Sequence, residues 1–385
     1  MTNPTRLDDH NLTTCLPPDI ALFTATLGGG GAERILINLA TFFASNGWRV
    51  DLVVCKFVGE LKDQVPPTVR IVSLDQKRVV FSLPDYLRYL KIAKPPIVLS
   101  SIERPSIIAG FGKWLSKHQH KLFIRMEGTL ITSEPLWKQF YRLPWLTLLA
   151  FSYPKADGIF AISKGIAQQL MCVPTLKKTP IHLIYNPLIQ PDFSSRIKEE
   201  PVYPSCIDTT LPTLIAVGRL HQQKDYPTLL KAFALVRKKS PSQLLILGVG
   251  PLKNKLKQLA ASLGVAKDTH FLGFVTNPLS YIHRANVFVL SSAWEGLPGV
   301  LIEALTTGTP VISTDCRTGP SDVLENGRFG KLVPVGDEVA LANGIIEILQ
   351  RPKPPMSAEL LHHLNQFKVD AVAQKYRQIL NLPIK

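Results

Sequence analysis

Cysteine is scarce in this chain: five among 385 residues, at 15, 55, 172, 206 and 316, with no Cys-x-x-Cys pair. That spacing indicates neither a metal knuckle nor a disulfide framework, and it fits a reducing compartment. Acidic residues are also few, 29 Asp and Glu against 44 Lys and Arg, so the formal net charge is +15. Long apolar runs are missing, and the longest aromatic and apolar stretch, Leu143 to Tyr153, is short and broken by Pro144, which excludes a bilayer span there. The first eighteen residues are polar and proline-bearing, without the apolar core of a signal peptide. The expectation is a cytoplasmic protein, soluble or peripheral on the inner face of the cytoplasmic membrane. Zinc-finger spacing, an RNP-like aromatic pattern and a lone basic tail are missing too, so no nucleic-acid partner is expected. The positive balance then favours phosphorylated substrates or an anionic lipid surface.

What is present is ample core material, with 45% hydrophobic residues, in a chain long enough for two domains. Apolar strands alternate with helical periodicity nearly throughout, which predicts α/β architecture with parallel sheets. A polar tail over 1–18 precedes a first domain over 19–187. Between Pro187 and Pro212 the periodicity stops and Pro, Ser, Asp and Glu accumulate, so 188–212 reads as a linker. A second domain follows over 213–366, and the last segment, 367–385, is expected to be helical and to fold back toward the first domain. The aromatic and basic stripe from Glu134 to Tyr153 suits a core face first and a membrane interface second.

Three loops at strand ends attract attention. Ser291 to Glu303, SSAWEGLPGVLIE, lies between an apolar strand and a predicted helix; small residues and two carboxylates, Glu295 and Glu303, stand where unpaired helix N–H groups would favour an anion. Read on its own, the stretch is equally a tight turn with two solvated acids. Gly218-Arg219 with Lys224 follows another predicted strand, and an Arg fork with a Lys point charge there can converge on one diphosphate. Near the start, Gly28 to Gly31 precedes a helix, but no glycine stands at the third position of a dinucleotide fingerprint and no acid ends the next strand, which argues against a nicotinamide cofactor. Gly110-Phe111-Gly112-Lys113 lacks the first glycine and the Ser or Thr of a P-loop, so it is set aside.

Gly218-Arg219 with Lys224, Gly273-Phe274, and Glu295 with Glu303 after seven intervening residues together resemble the retaining nucleotide-sugar glycosyltransferases of the GT-B fold, in the large glycogen-synthase-like group (family four). Within that group, Ser313-Thr314-Asp315-Cys316 with Gly319-Pro320 is most similar to bacterial enzymes that assemble capsule, exopolysaccharide or lipopolysaccharide. The resemblance implies two Rossmann-like domains facing across a cleft. It implies that Arg219 and Lys224 hold the diphosphate, Glu303 the ribose hydroxyls, and Glu295 with the backbone of Gly296, Leu297 and Pro298 the donor sugar. Amides of Gly299, Val300 and Leu301 would cradle phosphate, Gly218 and Phe274 would flank the nucleotide, and Gly29, Gly30 and Gly31 would close over the donor. It implies further a hexosyl or N-acetylhexosaminyl transfer from a UDP-sugar or another nucleotide-sugar donor to a glycan or lipid-linked acceptor, with retention of configuration, no cofactor and no metal. The lack of an Asp-x-Asp at any strand end is consistent with that.

One cluster departs from the pattern. Many relatives carry a histidine or a Glu-His-Asn type cluster where this chain has Arg125-Met126-Glu127-Gly128-Thr129, so Arg125 and Glu127 are candidates for acceptor or donor contact with no role carried over. Two further readings follow: a non-catalytic sugar- or nucleotide-binding component of a polysaccharide assembly complex, and a sugar-nucleotide epimerase on the same fold.

Overall fold

A computed structural model of the chain describes residues 5–6, 16–28, 30–128 and 143–383. Gly29, Thr129, Cys15, most of the N-terminal tail and the 134–142 part of the aromatic stripe lie outside the described residues. The chain divides into two compact units, residues 1–187 with 368–385, and 188–367.

The first unit is built on strands β1 (Thr5–Arg6), β2 (Ile20–Thr24), β3 (Val50–Val54), β4 (Arg70–Ser73), β5 (Ile97–Ser101), β6 (Lys121–Met126), β7 (Gly158–Ala161) and β8 (Ile181–Leu183). They form one sheet in the order β1-β4-β3-β2-β5-β6-β7-β8, and every pair is parallel. Helices α1 (Gly31–Ser45), α2 (Leu83–Ala93), α3 (Glu103–Leu115), α4 (Leu143–Ser152) and α5 (Lys164–Met171) lie among the connections. Strands buried on both faces read as continuous apolar runs, as in β2, where all five residues are buried. One charged exception is Asp51 on β3, 1% exposed. Its carboxylate accepts from Arg70 Nε and Nη2 at 2.6 and 2.7 Å and from Tyr89 Oη at 2.8 Å, which offsets the cost of burying a charge.

The second unit contains α6 (Phe193–Lys198), β9 (Thr213–Val217), α7 (Tyr226–Lys239), β10 (Gln243–Leu247), α8 (Lys253–Ser262), β11 (Thr269–Gly273), α9 (Pro278–Arg284), β12 (Val287–Leu290), α10 (Gly299–Thr306), β13 (Val311–Thr314), α11 (Pro320–Val323), β14 (Lys331–Val333), α12 (Glu338–Leu349) and α13 (Ala358–Leu364). Its sheet runs β11-β10-β9-β12-β13-β14, again parallel throughout. Leu214, Ala216, Leu244, Ile246, Val287 and Val289 pack with Leu229, Leu230 and Phe233 of α7 in one core. The two parallel-sheet units make a GT-B architecture.

Helix α14 (Val369–Leu380) belongs to the first unit. It packs on α1, and the Tyr376 ring lies 4.6 Å from that of Phe160 on β7. Tyr376 Oη accepts from Arg125 Nε at 3.0 Å. Arg125, 1% exposed, also donates to Asn186 Oδ1 and pairs with Glu127.

Several expectations are corrected. Residues 188–212 are not a free linker: Asn277 Nδ2 donates to Arg196 O at 2.8 Å, Tyr281 Oη donates to Val202 O at 2.6 Å, and Tyr203 meets Tyr281 edge-on. Within the tail, Thr5 and Arg6 pair with β4. In keeping with its dismissal as a P-loop, the 110–113 tetrad lies inside α3, where a Cβ on Gly110 would come 2.5 Å from Ser152 O and one on Gly112 would come 2.4 Å from the Tyr86 ring. Those glycines permit close helix packing.

Removing the guanidinium strands Glu127, Asn186 and Tyr376 together. Arg125→Met should cost about 3 kcal/mol, the low end for breaking a buried pair because Glu127 is partly exposed. At roughly 2 to 4 °C per kcal/mol, differential scanning calorimetry should show a clear fall in Tm. Tyr376→Phe, which removes one hydrogen bond, should cost about 1 to 2 kcal/mol.

Candidate active site

In the second unit the chain runs from β9 outward to β10 and β11, then returns to place β12 on the other side of β9. The gap between β9 and β12 is therefore the topological switch point, where open α/β sheets form a crevice beyond the strands' carboxyl ends. Lys224 lies in the loop after β9 and Glu295 in the loop after β12. Lys224 Nζ and Glu295 Oε1 are 2.6 Å apart, with the two side chains 16% and 7% exposed, so one ion pair bridges the switch point.

Further bonds fix this carboxylate. Ser292 Oγ donates to Oε1 at 2.7 Å and Gln223 Nε2 to Oε2 at 3.3 Å. Ala293 N donates to Gln223 O at 2.8 Å, and Ser291 Oγ to Lys224 O at 2.7 Å, which fastens the two loops by one backbone and one side-chain bond. The loop after β13 joins as well, because Thr318 Oγ1 donates to Glu295 O. Next to it Gly319 has φ +94°, and a Cβ there would meet Pro298 Cδ at 2.6 Å and Gly296 O at 2.8 Å. Only glycine suits both the backbone angle and the contact.

Lys224 is positioned by its own neighbours. Asp225, in the left-handed region at φ 40°, caps α7 by accepting from Thr228 N at 3.4 Å and Thr228 Oγ1 at 2.6 Å. Tyr226 Oη donates to Gly218 O at 3.0 Å. Burial, and after it the charge of Glu295, pushes the Tyr226 phenol well above its ordinary value. Arg219 is exposed at the same strand end.

Beyond Glu295, Gly296 is partly buried while Leu297 and Pro298 are buried. No side chain caps the N-terminus of α10, so its first amides keep the anion preference of a helix start. One correction applies: Leu301 N donates to Pro298 O at 3.0 Å and its side chain is fully buried, so this amide is already committed. Gly299 and Val300 remain partly buried at the helix start, with Glu303 partly buried farther along α10. Phe274 does not join the cluster; it follows the edge strand β11 and is 69% exposed.

In the first unit, Gly30 and Gly31 open α1. A Cβ on Gly30 would lie 2.4 Å from Glu33 Oε2, so the glycine leaves room for a carboxylate, which would repel a phosphate at that point. Arg125 is also corrected: its side chain is 0% exposed and spent on internal partners, so it supports the sheet and does not face a ligand. Glu127 keeps 17% exposure and accepts from Ser101 Oγ at 2.6 Å. Beside it Ile102 has φ 71°, a strained angle for a β-branched residue that costs about 1 to 3 kcal/mol.

Two families match the chain, one in each unit: Glycosyltransferase Family 4 over residues 29–188 and Glycosyl transferases group 1 over residues 203–366. The chain is a GT-B glycosyltransferase of the bacterial polysaccharide type. Over 353 residues it is 27% identical to the N-acetylgalactosamine-N,N'-diacetylbacillosaminyl-diphospho-undecaprenol 4-alpha-N-acetylgalactosaminyltransferase of Campylobacter jejuni, covering 87% of this chain and 91% of that one. A 111-residue stretch is 47% identical to an uncharacterized glycosyltransferase of Methanocaldococcus jannaschii, spanning 29% of this chain and 27% of that protein. Among solved structures, HepE of Anabaena in complex with UDP and glucose superposes with a TM-score of 0.73 at 16% identity, over 94% of this chain and 99% of that one.

In this glycosyltransferase the structure brings together Lys224 and Glu295, which the sequence singles out, and adds Gln223, Ser292 and Thr318, which it does not. Loop hydroxyls and amides carry no spacing signal, and only the fold shows what they touch. Cys316, 2% exposed, sits under the same loops. Burial first, then the charge of Glu295, pushes its thiol up to about 12, and burial likewise holds Cys55 at about 11. At pH 8 both thiols stay protonated and unreactive. Iodoacetamide at pH 8 followed by mass spectrometry should label the exposed Cys172 and Cys206 and spare Cys55 and Cys316 until the protein is unfolded.

Proposed function

We propose that the protein moves a hexosyl or N-acetylhexosaminyl group from a UDP-sugar to a lipid-linked glycan or polysaccharide acceptor, with retention of anomeric configuration. The observation that carries this reading is the Lys224–Glu295 pair across the switch point, close in sequence to the uncapped start of α10. A cation and a fixed carboxylate near an uncapped helix start support the binding of a sugar diphosphate. The Campylobacter jejuni relative, whose name describes transfer of N-acetylgalactosamine to a diphospho-undecaprenol-linked acceptor, supports the acceptor class. The Anabaena neighbour, described in complex with UDP and glucose, supports the donor class.

In this reading the bond between the anomeric carbon and the β-phosphate oxygen breaks, and its electron pair leaves with the nucleoside diphosphate. Lys224 and Arg219 meet that charge with the Gly299 and Val300 amides. The acceptor hydroxyl adds from the same face as the new bond forms, and its proton passes to the departing phosphate oxygen. Glu295 orients the donor sugar and does not act as a hydrolase-type nucleophile, while Glu303 accepts hydrogen bonds from the ribose hydroxyls. Arriving diphosphate competes with Glu295 for Lys224, so donor binding frees the carboxylate to turn to the sugar. The resting ion pair thus holds both groups in place until the substrate exchanges their partners.

Purified protein with a panel of UDP- and GDP-sugars and a membrane lipid extract should release nucleoside diphosphate with one donor. Lys224→Ala should lower kcat by about 100- to 1000-fold, the effect of losing one donor to developing charge. Glu303→Gln should raise the donor KM by about 10-fold or more with a smaller change in kcat, as expected for a charged hydrogen bond used mainly in binding. Glycan synthesis that survives Lys224→Ala in cells would assign the protein a binding role instead.

A further inference from the structure

The first unit exposes an apolar row that its core does not explain. Val80, Phe81, Trp114, Leu115, Leu148 and Phe151 are 55%, 60%, 64%, 49%, 37% and 67% exposed. They come from three adjoining elements, since α3 packs against both the 79–82 turn and α4. The glycines of α3 give the order. Gly110 faces Ser152 of α4 and Gly112 faces Tyr86 of α2. Trp114, four residues after Gly110, therefore leans to the α4 side, and Leu115, three after Gly112, to the side of α2, which the 79–82 turn directly precedes. Leu148 and Phe151 share one face of α4 by their three-residue spacing. The row thus runs from Phe81 through Leu115 and Trp114 to Phe151.

Its charge is mainly positive, with Asp157 as the acid beside it. Lys77, Arg78, Lys117 and Lys155 flank the row and are exposed, and Lys113 within it pairs with Asp157. The three segments 77–82, 113–117 and 147–155 contain no Asp or Glu. Apolar and aromatic side chains ringed by cations fit the headgroup and upper acyl region of an anionic bilayer. Among the described residues no helix is long and apolar enough to cross a membrane, so such contact would lie in the plane of the interface.

We infer that this row is a docking surface for an anionic lipid bilayer, with Phe81, Trp114 and Phe151 inserting and the four cations meeting phosphate headgroups. It deepens the proposed function by supplying the surface on which a lipid-linked acceptor would be met. For its purpose it rests on that reading; for its geometry it does not. Of the 134–153 stripe it uses residues from the described C-terminal end, joined by residues distant in sequence.

Flotation with phosphatidylglycerol vesicles and with phosphatidylcholine vesicles tests it. The wild-type protein should float with phosphatidylglycerol at low salt, bind phosphatidylcholine far less, and show a blue shift of tryptophan emission that Trp114→Phe diminishes. The triple variant Phe81→Ser, Trp114→Ser, Phe151→Ser should lose binding by on the order of tenfold or more, and Lys77→Glu with Lys117→Glu should weaken it by about fivefold per charge. Unchanged Tm and unchanged thermal stabilisation by UDP would show that the variants are folded. A triple variant that floats like wild type, a wild type that stays at the bottom, or a row whose removal instead dissolves a dimer in light scattering would overturn the inference. Nucleotide release separates the two proposals: a protein that binds vesicles through this row but releases no nucleoside diphosphate from any donor contradicts only the transferase reading.

Discussion

A carboxylate withdrawn from water has to be matched by cations and hydrogen-bond donors, or it protonates or destabilises the fold. Glu295, 6% exposed, is such a group, and the second unit is arranged around satisfying it. Lys224, Gln223 and Ser292 answer its oxygens, while Thr318 answers its backbone carbonyl. These partners come from loops after β9, β12 and β13, which are neighbours in the sheet, so one buried charge sets the relative positions of three loops. A buried pair of this kind often contributes little net stability, because desolvation offsets attraction. What it supplies is placement, and a pair whose attraction is nearly balanced by desolvation is one that a diphosphate can part.

The first unit solves a related problem differently. Arg125 on β6 is fully buried, and burial lowers its affinity for a proton while Tyr376 acts in the opposite direction; Glu127, Asn186 and Tyr376 surround it. Through Tyr376 it ties the last helix to the middle of the sheet. Near it, the strained Ile102 lies beside Ser101, whose hydroxyl reaches Glu127. Strain persists where surrounding bonds over-determine a residue, and the Ser101–Glu127 bond is one of them. Glu127 is thus held in a fixed orientation at the carboxyl end of β6.

The sheets were largely legible because parallel strands buried on both faces are continuous apolar runs, as at Ile20–Thr24 and Val287–Leu290. Helix α3 was not, since Pro105, Gly110 and Gly112 lower its helical propensity, and only the packing on Ser152 and Tyr86 gives the glycines their reason. The 188–212 stretch has a linker's composition, but Arg196, Val202 and Tyr203 find partners more than seventy residues away. At the site, Lys224 and Glu295 carried a recognisable spacing, whereas the commitment of the Leu301 amide to Pro298 is a local geometric fact that spacing does not encode. Arg125 was a candidate for acceptor or donor contact from its place in the 125–129 cluster, and its structural partner Tyr376 lies 251 residues along the chain. Nothing local announces such a bond.

The central claim is that Glu295 holds Lys224 only until a diphosphate takes it. Calorimetric titration of UDP into wild type, Glu295→Gln and Lys224→Ala tests this most directly. Lys224→Ala should weaken UDP by about 10- to 100-fold, the range for a charge-assisted hydrogen bond. Glu295→Gln removes the competitor, so UDP should bind as well as to wild type or up to about fivefold more tightly, even as sugar transfer falls. A Glu295→Gln protein that loses as much UDP affinity as Lys224→Ala would contradict the account.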